Sequence, residues 1–283
     1  MNYLIDEAQA CGNGANSIVS MVHHYLQHYT CGEENIHLHA DNCIDQNKNN
    51  TMVSYLAWRV IVGLNKSCEL SFMLPGHTRF SPDRFFGLTK RKYRRTKVSS
   101  LVEIREVVET STTGGQNKAF VIGAEDPSKP FHYYNWSVFL STFFTHVPLI
   151  TSYHHFRCTQ DHRGALFVRE FANTEEKVVI LKANATVDKT ALPAIMIPSG
   201  LSEERQQYLY EQIRPFYDEE YRDVTCPEPR ALKRPRSQEQ SADTQGPSVK
   251  RSKRLCSYCR MSGHTKTKKG QITCPKLLQE GSQ

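Results

Sequence analysis

Four residues near the carboxyl end have the types and spacing of a metal site. Cys256, Cys259, His264 and Cys274 form a C-x2-C-x4-H-x9-C array, and three thiolates with one imidazole are a donor set that a tetrahedral, structural Zn2+ takes. The first two cysteines make a tight sulfur-donating turn, and Gly263 gives the backbone freedom just before His264. So few apolar residues accompany the ligands that segment 255–283 is expected to fold only around its metal. Tyr258, Arg260, Lys266, Lys268 and Lys269 supply a small aromatic and basic surface, the kind that stacks on unpaired bases and contacts phosphates.

The first three ligands resemble a retroviral-type zinc knuckle, in which a shorter spacer separates the histidine from the last cysteine; here nine residues do. Either the longer loop carries Lys266, Lys268 and Lys269 toward phosphates, or Cys274 lies outside the ligand set.

A second constellation is acidic. Period-two alternation puts His37, His39 and Asp41 on one face of a strand over 36–41, with Asp41 at its carboxyl end, where α/β sheets usually bind ligands. The asparagine-rich loop 42–50 either satisfies a metal or phosphate or caps the next helix. Asp83 falls in the next unit, in the first turn of a helix opened by Ser81-Pro82. Two carboxylates on successive units could hold Mg2+ or Mn2+ for in-line attack on a phosphodiester. On the plainer reading, Asp41 caps its loop and Asp83 complements the helix dipole.

Further along, Lys90-Arg91-Lys92-Tyr93-Arg94-Arg95-Thr96-Lys97 interleaves an aromatic with six basic groups. It reads as a phosphate contact or as cations gathered at a helix C-terminus. His23, His24, His28, His154, His155 and His162 are assigned to packing or surface.

The elements that must position these groups follow from periodicity. Strands are predicted at 2–5, 36–41 and 70–74, and helices at 15–29, 51–64, 81–92 and 98–109. This alternation predicts a mainly parallel, two-sided α/β sheet. From 118 to 183 short strands at 119–122, 166–171 and 178–181 surround an aromatic helix near 136–145, with no topology assigned. Residues 202–221 read as one final helix, opened by Ser202 with Glu203 and Glu204 in its first turn.

Charge divides the chain differently. Of the net +7, residues 226–283 hold thirteen Lys and Arg against four acids, and the first 225 residues hold 23 basic against 25 acidic groups. The positive charge belongs to the tail, and a basic tail is attracted to polyanions by counterion release. Residues 227–254 are too polar to offset the entropy of ordering and read as a disordered basic linker. Within it, Lys233-Arg234-Pro235-Arg236 and Lys250-Arg251-Ser252-Lys253-Arg254 look like a bipartite import signal for a nuclear carrier. Nine cysteines is an odd count, and neither a signal segment nor an apolar run of about 18 residues is present. An intracellular location, the nucleus, with no membrane partner is expected. The domains are therefore 1–226, 227–254 and 255–283.

The blocks Tyr3-Leu4-Ile5-Asp6-Glu7-Ala8, His39-Ala40-Asp41-Asn42-Cys43 with Gln46-Asn47-Lys48-Asn49-Asn50, Tyr55-Leu56-Ala57-Trp58-Arg59 and Gly76-His77-Thr78-Arg79-Phe80-Ser81-Pro82-Asp83 resemble an integrase-like family of transposon-derived animal proteins. The resemblance runs from residue 2 to about 226. It implies an α/β fold: a truncated RNase H-like mixed sheet with flanking helices. Asp41 would be the acid of the fourth strand and Asp83 that of a later helix. The first acid of such a trio would lie upstream of Met1, with Asp6 and Glu7 as the replacements at hand, and Ile44-Asp45 stands where a small residue is expected. The resemblance thus implies a nuclear nucleic-acid-binding protein, derived from a transposon integrase or transposase, that binds without cutting. The alternatives are a metal-dependent strand-cleaving or strand-transferring enzyme in a longer form, and a protein-binding scaffold.

Overall fold

The computed structural model describes residues 1–73, 81–124, 126–171 and 175–229, with the backbone of two short strands at 267–268 and 271–272. The chain divides into two units, Met1–Arg230 and Ala231–Gln283. In chain order the first unit holds β1 (Asn2–Ile5), α1 (Ala15–His28), β2 (Asn35–Ala40), α2 (Asn50–Val62), β3 (Ser67–Phe72), α3 (Ser81–Tyr93), α4 (Leu101–Glu109), β4 (Ala119–Ile122), β5 (Tyr133–Tyr134), α5 (Trp136–Phe143), β6 (His155–Thr159), β7 (Ala165–Arg169), β8 (Glu176–Val179), β9 (Ile195–Met196), α6 (Glu203–Tyr208) and α7 (Glu219–Thr225).

The central sheet is mixed, with strand order β2-β3-β6-β7-β8. Only β2 and β3 run parallel; β3–β6, β6–β7 and β7–β8 are antiparallel. Two smaller pairs stand apart, β1 parallel to β4 and β5 antiparallel to β9.

The core lies on one face of the central sheet. In β3 the alternate residues Cys68, Leu70 and Phe72 are buried, and they join Val53, Leu56, Trp58 and Val60 of α2, Val19 of α1, and Trp136 and Leu140 of α5. Helix α2 is buried from Met52 to Val60, as a helix apolar on every side must be. Asn49 starts it by accepting the Met52 N–H at 3.0 Å, and Gly63, at φ 85°, ends it in the left-handed region that only glycine enters freely. Helix α4 begins at Ser100, whose hydroxyl accepts the Glu103 N–H at 3.2 Å.

Among the described residues the opposite face is open. It carries His37, His39, Ser67, Glu69, Ser71, His155, Arg157 and Arg169, none of them buried.

Two expectations are overturned. The sheet is not mainly parallel, because the segment without an assigned topology supplies β6, β7 and β8, and among the described residues it is not covered on both faces. The short 160–164 connection can only join antiparallel neighbours, since a parallel crossover needs a dozen residues or more. The expected single helix over 202–221 is also broken. After α6 come a π-turn at Leu209–Ile213 and a 3-10 turn at Arg214–Phe216, because Pro215 has no N–H to donate and its ring crowds the preceding turn. The Arg214 guanidinium then donates to the Arg222 and Cys226 carbonyls at 3.0 and 2.8 Å, tying α7 back. Ser202 caps α6 as expected, accepting from the Arg205 N–H at 3.2 Å. Strand β3 starts at Ser67, earlier than its apolar run, because it pairs with β2 from Asn35 onward.

Cys68 and Cys158 face each other across β3 and β6, and both are buried, free thiols. Burial pushes Cys68 up to about 12 and Cys158 higher still, so neither forms the nucleophilic thiolate at neutral pH. Alkylation with iodoacetamide followed by mass spectrometry is expected to label exposed Cys31 in the native chain and to reach Cys68 and Cys158 only after unfolding. Native labelling of the two at the rate of Cys31 would contradict this packing.

In the second unit the described elements are β10 (Thr267–Lys268) and β11 (Gln271–Ile272), paired antiparallel. No helix among the described residues is long and apolar enough to cross a membrane.

Candidate functional site

Asp41 and Asp83, far apart in sequence, line one cavity of about 490 Å3. Asp41 follows the last residue of β2, at the carboxyl end of the parallel β2–β3 pair. Asp83 arrives from the first turn of α3. His39, Asn47 and Phe86 share the wall with them, and Ile18, Val22 and Leu70 are apolar parts of the lining.

Local hydrogen bonds fix Asp41. Its Oδ1 accepts from the Asn47 amide at 2.5 Å and from the Cys43 N–H at 3.3 Å. The loop-cap reading of Asp41 is therefore present in the geometry, and Asp41 still lines the cavity. The remaining asparagines of the loop are structural: Asn49 caps α2, Asn42 donates to the Met73 carbonyl at 3.0 Å, and Asn50 accepts the Val147 N–H at 2.8 Å.

Asp6 and Glu7 are occupied elsewhere. Asp6 caps a 3-10 turn through the Ala8 N–H, and Glu7 holds Arg205 by two bonds of 2.8 and 2.9 Å. Neither lines the cavity. Among the described residues no three His, Cys, Asp or Glu side chains already surround a metal position.

The basic run splits into two kinds of residue. Lys92 donates to the Thr110 carbonyl at 2.9 Å, and Lys97 pairs with Asp218; these two fasten α3 and its C-terminal extension to neighbouring segments. The side chains of Lys90, Arg91, Arg94 and Arg95 make no hydrogen bond or ion pair among the described residues, although the Arg94 and Arg95 backbone N–H groups donate to the Lys90 and Lys92 carbonyls. Helix α3 buries none of its residues, so its free cations face solvent. The same helix thus presents Asp83 at one end and unneutralised positive charge at the other.

One residue near the site was not legible as such. Lys48, from the asparagine-rich loop, is buried with its ammonium 5.5 Å from the centre of the Phe72 ring, and burial lowers its pKa. A lysine between asparagines reads as exposed, and only the tertiary contact with β3 places it inside.

Cys256, Cys259, His264, Cys274, Tyr258, Arg260, Lys266 and Lys269 lie outside the described residues, as do Lys233, Arg234, Arg236, Lys250, Arg251, Lys253 and Arg254. Lys268 belongs to β10. The β10–β11 pair matches Thr267 with Ile272 and Lys268 with Gln271, so the unusually long spacer between His264 and Cys274 contains two short paired strands.

A protein-family model described as "Domain of unknown function (DUF7869)" matches residues 2–175. The matched stretch includes Asp41, Asp83 and the whole basic run. No curated protein and no solved structure matches the chain.

Proposed function

We propose that this chain, which belongs to the family described as Domain of unknown function (DUF7869), is a nuclear nucleic-acid-binding protein with an RNase H-like core and a zinc-knuckle tail. The observation that carries the reading is α3, an exposed helix with four unpaired cations at or beyond its last turn and Asp83 in its first. At about 1.5 Å per residue, Asp83 and Arg94 stand roughly 16 Å apart, the span of about five steps along a nucleic-acid strand. One backbone can therefore meet the cations and pass the cavity.

The β2–α2–β3 unit supports the finer reading. Asp41 follows its first strand and Asp83 stands in the first turn of α3, the helix after the unit, the arrangement implied by the resemblance to transposon-derived integrase-like proteins. Asp41 and Asp83 are the side chains that would hold Mg2+ or Mn2+, which supplies charge neutralisation at a phosphodiester. Asp6 and Glu7 do not complete the pair, so this chain binds the backbone without cutting it. In the tail, Cys256, Cys259, His264 and Cys274 would hold one structural Zn2+, and the β10–β11 pair lies within the long spacer between the last two of them. The two basic clusters of residues 233–254 recruit an import carrier.

Fluorescence anisotropy of the full chain with labelled duplex and single-stranded oligonucleotides, over a salt series, tests this. Each phosphate contact contributes about 0.9 to the slope of log affinity against log salt on duplex. The variant K90A/R91A/R94A/R95A is expected to bind more weakly and to lose about 3 to 4 from that slope. Unchanged affinity and slope would remove α3 from the interface and with it the case for the core. The shared cavity of Asp41 and Asp83 also favours a second reading, metal-dependent strand cleavage. Product formed with Mn2+ by the wild type and not by Asp41→Asn would establish it in place of simple binding.

A further inference from the structure

Two serines of β3 share the open face of the central sheet in different company. Ser67 donates to the Asn35 side-chain oxygen at 2.7 Å. Ser71, on the same face, stands between two imidazoles, its Oγ 2.9 Å from His37 Nε2 and 2.9 Å from His155 Nδ1. Strand register brings these groups together, since His155 lies opposite Ser71 on β6 and His37 lies opposite Glu69 on β2. On its other side, His37 Nδ1 is 3.9 Å from Glu69 Oε2.

A hydroxyl has one proton to give, so the two imidazoles cannot both accept it. The Glu69 carboxylate favours a proton on the near nitrogen of His37, Nδ1, and that leaves Nε2 as an acceptor. Ser71 therefore donates to His37 and accepts from the His155 Nδ1–H. Burial, with the charge of Arg169 added, lowers the pKa of His155, so at neutral pH His155 carries the single ring proton that this role needs.

We propose that Ser71 is a nucleophile for acyl transfer from carboxylic esters, with His37 as its general base and Glu69 as the residue that positions His37. A hydroxyl within hydrogen-bond reach of an imidazole whose other nitrogen faces a carboxylate is the arrangement that activates serine. Glu69 has to close by about 1 Å to accept the Nδ1–H, and both side chains are partly exposed and free to do so. Ser71 Oγ attacks the ester carbonyl carbon as its proton passes to His37 Nε2. The bond to the leaving alcohol then breaks as His37 returns that proton to the departing oxygen, which leaves the acyl group on Ser71. Water, deprotonated by His37 in the same way, releases the acid and restores the hydroxyl. The His155 N–H, already aimed at Oγ, stands beside the position where the carbonyl oxygen gathers negative charge. This chemistry requires neither nucleic acid nor the tail cysteines.

Treating the full chain with a fluorophosphonate, which forms a covalent adduct on activated serines, and mapping the adduct by mass spectrometry tests the assignment. The adduct is expected on Ser71 and not on Ser67. Hydrolysis of p-nitrophenyl acetate should be lost in Ser71→Ala and kept in Ser67→Ala. A general base is worth about 100-fold or more, so His37→Ala is expected to slow both reactions at least about 100-fold with an unchanged circular dichroism spectrum. Added imidazole should restore part of that rate, which a side chain that only supports the sheet would not allow. Glu69→Gln should lower kcat and leave KM unchanged. No adduct on Ser71, equal adducts on Ser67 and Ser71, or wild-type rates in His37→Ala would overturn the proposal. A slow His37→Ala chain that imidazole does not rescue would overturn the role given to His37, and wild-type kcat in Glu69→Gln that given to Glu69.

Discussion

Replacing Trp136 by alanine is expected to destabilise the first unit by about 3–5 kcal/mol, the usual cost of deleting a buried aromatic side chain. Trp136 is fully buried at the point where α5, α1 and α2 meet. Its ring centre lies 4.9 Å from Tyr55, 5.0 Å from His23 and 5.3 Å from Trp58. The indole N–H has no hydrogen-bond partner among the described residues, so the stabilisation comes from area and packing. Alanine leaves a void walled by rigid rings that cannot collapse into it, and the upper part of the range is expected. Phenylalanine keeps most of the ring contacts and removes the orphaned donor, whose burial itself costs free energy. Trp136→Phe should therefore lose less than half as much. Urea denaturation followed by circular dichroism measures both, and a Trp136→Ala chain within about 1 kcal/mol of wild type would mean that this aromatic cluster does not organise the core.

Acid should unfold the first unit through His23. Its Nδ1 lies 3.2 Å from the Tyr55 hydroxyl, and Arg59 donates to that same hydroxyl at 3.0 Å. With Arg59 supplying one proton, the Tyr55 hydroxyl can give its own to a neutral His23 imidazole. Burial, reinforced by the Arg59 charge and by His28 and His24, lowers His23 from 6.5 to about 3. The folded value lies below the unfolded one, so the unfolded chain takes up the proton first. Stability is full above pH 6.5 and falls as pH drops from 6.5 toward 3. Each pH unit in that window costs about 1.4 kcal/mol, or about 2.7 kcal/mol by pH 4.5. Burial pushes His24 and His155 the same way, so a smaller slope should persist without His23. Urea midpoints between pH 7 and pH 4 are expected to fall more steeply in wild type than in His23→Phe. Parallel pH profiles would show that His23 is not the acid-sensitive group.

Much of the first half of the unit was legible because its elements are long and strictly periodic. The strand 2–5, the helices near 15–28 and 50–62, and the helix opened by Ser81-Pro82 follow from apolar spacing and end signals alone. Strand β6 was not legible. His155-Phe156-Arg157-Cys158-Thr159 alternates, but over only five residues and with three of them polar, and a short mixed run carries too little pattern to compete with a loop. Missing it concealed the antiparallel half of the sheet, and with it the open face. The cysteine and histidine array of the tail was legible for the opposite reason, since its spacing is local in the chain.

The sequence by itself determined which residues can do chemistry: the cysteine and histidine array of the tail, the basic run, and the acids after β2 and at the head of α3. It also determined where most helices start, because capping is decided within a few residues. Only the tertiary structure decided which groups meet. Asp41 and Asp83 share a cavity because β2 ends beside the start of α3, whereas Asp6 and Glu7 are drawn to other partners. His155 joins His37 across Ser71 through strand register, and Lys48 is buried against Phe72. Pairing between strands distant in the chain is fixed by burial of a shared face and by connection length, and neither quantity is visible in any single stretch of residues.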